Sequence, residues 1–298
     1  MGADASVIVC AFNEEDHIGQ LLEALTGDAG GIECKIIVVC NGCQDRTPDI
    51  ARSFPGVIVE EIADASKHQA LNVGDRLAGD VFPRLYADAD ITIDQQSITR
   101  LLHSLNVRRA RAVAPSIYYR TTGKPWLVRS YYSTWPRIPN NADWASRHIA
   151  GRGVYGTNRE GRNRFTDFPP LHADDYFFDL LFDESERITV DRAIAGITVP
   201  NSTRQLLRSL TRVRYGNLEL KRWFAAYMPD RPIRGLGGEG ARHARLRRLA
   251  STWLSSSLLA ETPSATMFSY LLGYIIVEAS ARINIMCYRL TRRDIPWR

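Results

Sequence analysis

The first hundred residues alternate between short apolar runs and segments whose apolar positions recur at helical spacing. The apolar runs predict buried strands at residues 6–11, 35–40, 57–62 and 81–87. The remaining segments predict helices at residues 15–25, 49–54, 66–77 and 95–107. In the second helix we expect Thr47 as the N-cap, with Pro48 at the first helical position. Strands separated by helix-length segments predict βαβ units, and therefore an α/β fold with a mostly parallel sheet flanked by helices.

The regular pattern weakens after a further strand, which is predicted at residues 112–115. Residues 118–165 are rich in Tyr, Trp, Arg and Gly, and we expect them to form long loops that line a cleft. From residue 200 onward the pattern is helical and basic. The sequence therefore predicts an α/β domain at 1–200, with halves at about 1–115 and 116–200, and a helical C-terminal extension at 201–298.

Polar residues follow three of the predicted strands, at residues 12–14, at Asn41-Gly42 and at Asp88-Ala89-Asp90. Ligands of such sheets bind beyond the carboxyl ends of the strands, so we expect these residues to converge on a ligand. Two carboxylates one residue apart offer hard oxygen ligands for Mg²⁺ or Mn²⁺, with a substrate's phosphates completing the coordination. An Asp-x-Asp triplet is also common in solvated turns, so its meaning depends on its neighbours.

The net charge of +5 hides an uneven distribution. Residues 1–100 carry 7 Lys and Arg against 17 Asp and Glu, whereas residues 201–298 carry 17 against 6. The basic segment is expected either to face a diphosphate or an anionic lipid surface, or to be a solvated helix face. No recognised nucleic-acid-binding motif accompanies it, so nucleic acid is not an expected partner.

The cysteines and the apolar runs indicate the cellular compartment in which the protein is expected. Cys40-x-x-Cys43 has the spacing of a zinc or redox pair, but no second pair or nearby His completes a ligand set. Cys10 and Cys40 lie inside apolar runs, which predicts buried, reduced thiols. The sequence shows neither a signal-peptide pattern nor an apolar run of about 20 residues. We therefore expect a cytoplasmic protein, at most peripheral on the inner face of the cell membrane.

Several motifs, in order along about residues 6–200, resemble those of family 2 glycosyltransferases. The similar segments are 7–15 (VIVCAFNEE), 38–47 (VVCNGCQDRT), 67–74 (KHQALNVG), the Asp88/Asp90 pair, 151–156 (GRGVYG) and 173–177 (ADDYF). Each motif is loose on its own, but their common order is specific. The resemblance implies a GT-A-like sheet that binds a nucleotide-diphosphate sugar.

The resemblance also implies roles for the donor-side residues. Asp90 would be the direct ligand of Mg²⁺ or Mn²⁺, while Asp88 would contact ribose, sugar or a metal-bound water. The implied donor-binding set is Ala11, Phe12, Asn13, Glu15, Asn41, Lys67, Asp88 and Ala89. Two of these residues have equally plain structural explanations, since Phe12 could pack in the core and Lys67 could be a solvated lysine at a helix start.

On the acceptor side, the resemblance assigns the catalytic base to Asp175, which would deprotonate the acceptor hydroxyl for displacement with inversion. Asp174 would tune Asp175 or cap the following helix, and both residues could instead be helix N-terminal charges. Gly151, Gly153 and Tyr155 would line the acceptor side, although the glycines could also serve an ordinary loop that needs positive φ.

Two departures from the family pattern limit the prediction. The second strand of the family usually ends in two aspartates, but here the positions read Cys40-Asn41. The sequence therefore does not identify the nucleotide of the donor. The Gln-x-x-Arg-Trp motif of processive synthases is also incomplete, because residues 205–209 read QLLRS. The sequence therefore predicts a non-processive enzyme with a glycan, glycolipid or secondary-metabolite acceptor, soluble or lipid-linked.

Two alternatives remain at this stage. A nucleotidyltransferase that makes a nucleotide-sugar shares a related sheet, but it normally has a Gly-x-Gly-x-Arg loop after the first strand. Here that loop reads AFNEE at residues 11–15. A non-catalytic peripheral membrane module is the other alternative, suggested by the arginine cluster at residues 242–248 and the apolar segments after residue 249.

Overall fold

The computed structural model describes residues 3–27, 32–230 and 265–291. Within them the strands are β1 Ala5–Ala11, β2 Cys34–Asn41, β3 Ile58–Ile62, β4 Arg84–Asp88, β5 Ile91–Ile93, β6 Ala112–Arg120, β7 Val154–Thr157 and β8 Arg187–Thr198. The helices are α1 Ile18–Thr26, α2 Thr47–Arg52, α3 Lys67–Ala78, α4 Gln95–Ser104, α5 Trp126–Thr134, α6 Pro139–Arg147, α7 Arg159–Arg162, α8 Asp174–Leu180, α9 Thr203–Tyr227 and α10 Ala265–Thr291.

All eight described strands form one mixed sheet in the order β3-β2-β1-β4-β7-β6-β8-β5. Strands β3, β2, β1 and β4 are parallel, as the alternating pattern predicted. β7 runs antiparallel to both β4 and β6, and β5 runs antiparallel to β8, whereas β6 and β8 are parallel. The α/β fold with flanking helices is thus confirmed, and four of the seven strand pairings are parallel.

The loop prediction for residues 118–165 is wrong. This stretch contains the end of β6, helices α5, α6 and α7, and strand β7. β6 continues to Arg120 because its last five residues pair with Ile194–Thr198 of β8, a partner more than 70 residues away in the chain. Aromatic residues in the stretch are partly core residues, since Tyr131 and Tyr155 are buried.

Several local boundaries differ from the predictions, and two of the differences have a clear physical reason. The fourth strand begins at Arg84 rather than at residue 81, and Pro83 ahead of it has no N–H with which to join a strand ladder. Thr47 is the first residue of α2 instead of its N-cap. Its hydroxyl accepts a hydrogen bond from the Glu14 N–H (2.7 Å) and donates one to Asp45 (2.6 Å). Thr47 therefore joins two loops.

Strand β1 lies inside the parallel half of the sheet and is covered on both faces, so every one of its residues is buried. One face carries Val7, Val9 and Ala11 in a core that includes the apolar side of α1. On the other face, α3 approaches the sheet closely at Gly74, where an added Cβ would lie 2.3 Å from Ile8 Cγ2. This close approach is the structural reason for a glycine in the middle of α3.

The chain divides into two compact units. The first consists of the described residues up to Arg120 together with Ala145–Val199, and it contains the whole sheet. The second consists of Thr121–Trp144 and the described residues from Pro200 onward. The sequence-based division at residue 200 had placed residues 121–144 with the α/β domain.

In the second unit, α5, α9 and α10 pack together. Tyr131 stacks on Tyr274 with ring centroids 5.5 Å apart, and Arg214 pairs with Glu278 at 2.9 Å. The opposite side of α10 presents large apolar side chains that are 43–68% exposed. We call them the outer stripe of α10: Phe268, Leu272, Ile275, Ile276, Ile283 and Met286. No helix within the described ranges is both long enough and apolar enough to span a bilayer.

The contact at Gly74 predicts a cost for the smallest possible side chain. Gly74→Ala drives a methyl group into the buried side chain of Ile8, and overpacking of this kind lowers the free energy of unfolding by about 1–3 kcal/mol. Gly19→Ala in α1 is the matched control, because its Cβ would be 3.8 Å from the nearest atom, Ile50 Cγ2. Urea unfolding followed by circular dichroism should show Gly74→Ala destabilised and Gly19→Ala unchanged or more stable. Equal stabilities would contradict the packing argument.

Candidate active site

The loops that follow β1 and β2 are hydrogen-bonded to each other at the carboxyl edge of the sheet. Asn41 Nδ2 donates to the Ala11 carbonyl at 2.9 Å, and the Gln44 N–H donates to Asn13 Oδ1 at 2.8 Å. Asn13 has a φ of +54°, which asparagine tolerates better than most residues. These bonds give the two strand ends a fixed mutual geometry.

A second set of bonds involves the carboxylates of the same loops. The Glu15 N–H donates to Asp45 Oδ2 and the Arg46 N–H donates to Glu15 Oε2, both at 3.1 Å. Asp45 also accepts from the Thr47 N–H and hydroxyl, and these bonds outweigh burial and lower the pKa of its carboxyl. Sequence reasoning missed the role of Asp45, although an Asp two residues before a Thr is a recognisable local turn signal.

Asn41 leaves an acceptor unsatisfied at this edge. The residue is buried, and its Oδ1 has no hydrogen-bond partner within the described part of the chain. Buried polar atoms are normally paired, so an orphaned acceptor of this kind is suited to a ligand's N–H or to an ordered water. Phe12, which directly follows β1, is half-buried rather than a fully buried core residue.

The thiols near this edge differ in their burial and in their pKa. Cys10 and Cys40 are buried as predicted, and burial raises the pKa of Cys10 far above its ordinary value. Hydrogen bonding from the Cys40 thiol, aided by the Asn13 N–H at 3.4 Å, lowers the pKa of Cys43 to about 7. The pKa of Cys40 is correspondingly raised.

The ammonium group of Lys67 joins two carboxylates from distant parts of the chain. Lys67 Nζ lies 2.7 Å from Asp88 Oδ1 at the end of β4 and 3.1 Å from Asp174 Oδ2 at the start of α8. Its side chain is 19% exposed, so the interpretation as a solvated lysine is wrong. Burial alone would lower the pKa of Lys67, but Asp174, Asp88 and Asp175 together raise it well above the ordinary value. The carboxylates therefore favour the protonated, positively charged form of Lys67.

Asp174 turns inward and Asp175 turns toward a loop. Asp174 is 4% exposed and accepts a hydrogen bond from the Tyr155 hydroxyl at 3.0 Å as well as the Lys67 ion pair. Asp175 Oδ2 accepts from the Gly151 N–H at 2.6 Å. Burial and the neighbouring Asp174 carboxylate raise the pKa of Asp175 to about 6, a value suited to a base near neutral pH.

The acceptor-side glycines both have positive φ, +74° at Gly151 and +70° at Gly153. An added Cβ at Gly153 would lie 2.4 Å from Ile91 Cγ2, whereas the corresponding space at Gly151 is open. The Gly153 carbonyl accepts from the Asp88 N–H at 2.8 Å. The loop that carries Gly151 is thus attached to the strand end that carries Asp88.

The carboxylates at the end of β4 suit a hard divalent cation that is shared with a substrate. Asp88 has a side chain that is 41% exposed, Ala89 is buried, and Asp90 is partly buried with its carbonyl bonded to Thr198. In the described ranges, no group of three or more His, Cys, Asp or Glu could hold a metal ion. Mg²⁺ typically takes one or two carboxylates and fills its other positions with phosphate oxygens and water. The donor set fits Mg²⁺ or Mn²⁺ on those terms.

Sequence comparison matches more than half of the chain to a known protein family. The family model described as glycosyl transferase family 2 matches residues 6–166, which is more than half of the chain. No curated protein matches the sequence.

Solved structures show the same fold at low sequence identity. The mannosyltransferase PcManGT from Pyrobaculum calidifontis, in complex with GDP-Man and Mn²⁺, has a TM-score of 0.62 at 18% identity, covering 96% of this chain and 88% of that one. A mycobacterial protein has a TM-score of 0.52 at 19% identity, with coverage of 74% and 75%. Residues 1–349 of S. aureus TarS with UDP-GlcNAc give 0.50 at 15% identity, with coverage of 94% and 92%. The fold is therefore of the GT-A type.

Proposed function

Because the chain belongs to glycosyl transferase family 2, we propose that it is a metal-dependent, inverting and non-processive glycosyltransferase. It moves one sugar from a nucleotide-diphosphate sugar to a hydroxyl acceptor. The observation that carries the proposal is the Lys67 bridge, which brings the exposed carboxylate of Asp88 next to the acidic start of α8. One side of the site is thus suited to a diphosphate and the other to a base.

The donor half of the proposal rests on the carboxyl edge of the sheet. We assign the nucleobase and the ribose of the donor to the edge formed by Ala11, Phe12, Asn13, Glu15 and Asn41. The orphaned Asn41 Oδ1 suits an N–H of the nucleobase. Asp90 and Asp88 would hold Mg²⁺ or Mn²⁺, which when bound neutralises charge on the departing diphosphate. The neighbours solved with GDP-Man and Mn²⁺ and with UDP-GlcNAc support this class of donor.

The acceptor half assigns one proton transfer to Asp175. Its carboxylate takes the proton of the acceptor hydroxyl, and the hydroxyl oxygen forms a bond to the anomeric carbon as the bond from that carbon to the diphosphate oxygen breaks. The Gly151 N–H holds Asp175 Oδ2, and Asp174 raises the basicity of Asp175. Attack opposite the leaving group inverts the anomeric centre. Gly151 and Tyr155 bond to Asp175 and Asp174, and together with Gly153 we assign them to the acceptor side.

The domain assignment follows the same division of labour. We assign catalysis to residues 1–200. We treat residues 201–298 as a helical extension that influences the location at which the enzyme binds its acceptor. The acceptor, soluble or lipid-linked, is a glycan, glycolipid or secondary metabolite. A nucleotidyltransferase is the competing enzyme class, and the two differ in product, since it would release pyrophosphate.

Replacement of the base gives the first functional prediction. Asp175→Asn should lower kcat by about 10²- to 10⁴-fold, because the amide cannot accept the hydroxyl proton. The wild-type kcat/KM should fall tenfold per pH unit below about pH 6, since protonation of Asp175 removes the base. Asp167→Asn, at an exposed carboxylate, is the matched control and should keep both the rate and the profile. A folded Asp175→Asn protein with full activity would exclude Asp175 as the base.

The metal role is tested with a donor panel. With UDP-, GDP- and dTDP-sugars, EDTA should abolish release of nucleoside diphosphate and Mn²⁺ should restore it. Asp90→Ala should remove the Mn²⁺-dependent part of nucleoside diphosphate binding in calorimetry, whereas Asp80→Ala, a highly exposed control, should not. Turnover that ignores EDTA would contradict the metal dependence, and pyrophosphate release would favour the nucleotidyltransferase.

We further propose peripheral contact with an anionic lipid surface, on the cytoplasmic side of the membrane. Two observations support it: the exposed outer stripe of α10, and the 17 Lys and Arg against 6 Asp and Glu in residues 201–298. Apolar side chains beside net positive charge are the combination with which interfacial helices bind anionic bilayers. This contact would bring the enzyme to lipid-linked acceptors.

Liposome flotation tests that contact. At low salt the protein should float with phosphatidylglycerol vesicles and not with phosphatidylcholine vesicles. The double variant Leu272→Ser/Ile283→Ser should bind at least about tenfold more weakly, because it removes apolar area from the stripe. Val213→Ser, at a similarly exposed apolar residue of α9, is the control. Absence of flotation, with loss of a dimer in the double variant, would assign the stripe to self-association instead.

A further inference from the structure

The segment from His148 to Gly153 contacts both catalytic halves of the proposed site. Its Gly151 N–H donates to Asp175 Oδ2 at 2.6 Å. Two residues later, the Gly153 carbonyl accepts from the Asp88 N–H at 2.8 Å. The position of this segment therefore fixes one oxygen of the Asp175 carboxylate, while the other, Oδ1, accepts from the Tyr176 N–H at 2.7 Å.

A buried cluster fixes the start of the same segment. Asp179, which is 0% exposed, accepts from the Ile149 N–H at Oδ1 (2.7 Å) and from Arg187 Nη1 at Oδ2 (2.7 Å). His148 Nδ1 lies 2.5 Å from Asp179 Oδ2 and 3.0 Å from Arg187 Nη1. The imidazole packs edge-on against the ring of Tyr176 at 5.4 Å. Both oxygens of Asp179 are thus used to hold residues 148 and 149.

The guanidinium group of Arg152 braces the segment from within. Arg152 is buried and donates to the carbonyls of Pro115 (3.0 Å), Ala145 (2.6 Å) and His148 (3.1 Å). These bonds join the segment to β6 and to the end of α6. The segment has little freedom to move unless the Asp179 cluster moves with it.

Helix geometry links the cluster to the base. Asp175 and Asp179 are four residues apart on α8, so their side chains lie one above the other on the same face. They hold backbone N–H groups that are two residues apart, at Gly151 and Ile149. A displacement of the segment at Ile149 is therefore passed directly to the bond at Gly151.

We propose that Asp179, with His148 and Arg187, is a positioning group that sets the Gly151 N–H against Asp175 and so fixes the orientation of the base. The proposal rests on the proposed function, because it gives Asp175 the role of base. It adds residues that lie outside every motif used to predict the site. None of the three is among the residues assigned above to the donor, the metal or the acceptor.

A positioning role has a consequence that a purely structural role lacks. Asp174, Lys67, Asp88 and the Gly151 N–H act on the charge of Asp175. The Gly151 bond stabilises the carboxylate and lowers its pKa, so loss of that bond should raise the pKa further. The acid limb of the pH profile should then move to higher pH, which mere loss of stability would not cause.

Asp179→Asn is the first test. With the wild type as reference, we expect a folded protein, a kcat about tenfold lower at pH 8, an unchanged KM for the donor and an acid limb shifted to higher pH. Asp75→Asn is the matched control, because Asp75 is also a buried carboxylate held by two arginines, Arg84 and Arg162. It should lose comparable stability and leave the acid limb in place.

A second pair of variants covers the case in which Asp179→Asn fails to fold. His148→Ala removes the Nδ1 atom that contacts Asp179 and Arg187 and should shift the acid limb, whereas His148→Asn keeps a polar side-chain atom the same number of bonds from Cα and should restore it. Folded Asp179→Asn and His148→Ala proteins with the wild-type acid limb would overturn the proposal.

Amide NMR separates this proposal from the reaction itself. In the substrate-free wild type, the Gly151 amide proton should titrate with Asp175 near pH 6, and this response should be lost in Asp179→Asn. Loss of the response supports the positioning role even if no donor is turned over, a result that would count against the reaction alone. A Gly151 titration identical in both proteins would overturn the positioning role.

Discussion

The candidate site depends on one partly buried cation between two carboxylates. Asp88 and Asp174 are 86 positions apart in the chain, and both lie within 3.1 Å of the Lys67 ammonium. Without a compensating positive charge, an almost fully buried carboxylate such as Asp174 would carry a large desolvation cost. Lys67 therefore allows an acidic helix start to lie against an acidic strand end, which is the arrangement that the proposed chemistry requires.

The carboxyl edge of the parallel strands was predictable because its signals are local. Four apolar runs specify the strands, polar residues follow three of these runs, and the direction of a βαβ unit places the strand ends on one edge. Asp88 and Asp90 could be identified from their position after the fourth run. The Lys67 bridge could not, because nothing in residues 67–74 indicates a carboxylate more than 100 residues further along the chain.

The middle of the chain resisted prediction for a related reason. Residues 116–120 form a strand only through pairing with the distant β8, and α5 is ordered by contacts with α9 and α10. Tyr and Trp in this stretch resemble loop residues in the sequence, yet Tyr155 stacks on Tyr86 in the core, 5.2 Å between ring centroids. Tertiary contacts determine the secondary structure of these segments, whereas local propensity determines that of β1 to β4.

The surroundings of Asp175, the proposed base, depend on several residues of helix α8 and not on Asp175 alone. Successive side chains of a helix point about 100° apart, so Asp174 reaches Lys67 and Tyr155 while Asp175 reaches the Gly151 loop. One turn later, Asp179 holds the start of that same loop. A single short helix thus carries the proposed base, the charge that acts on its pKa and the group proposed to orient it. Any rotation of α8 would therefore disturb all three contacts together.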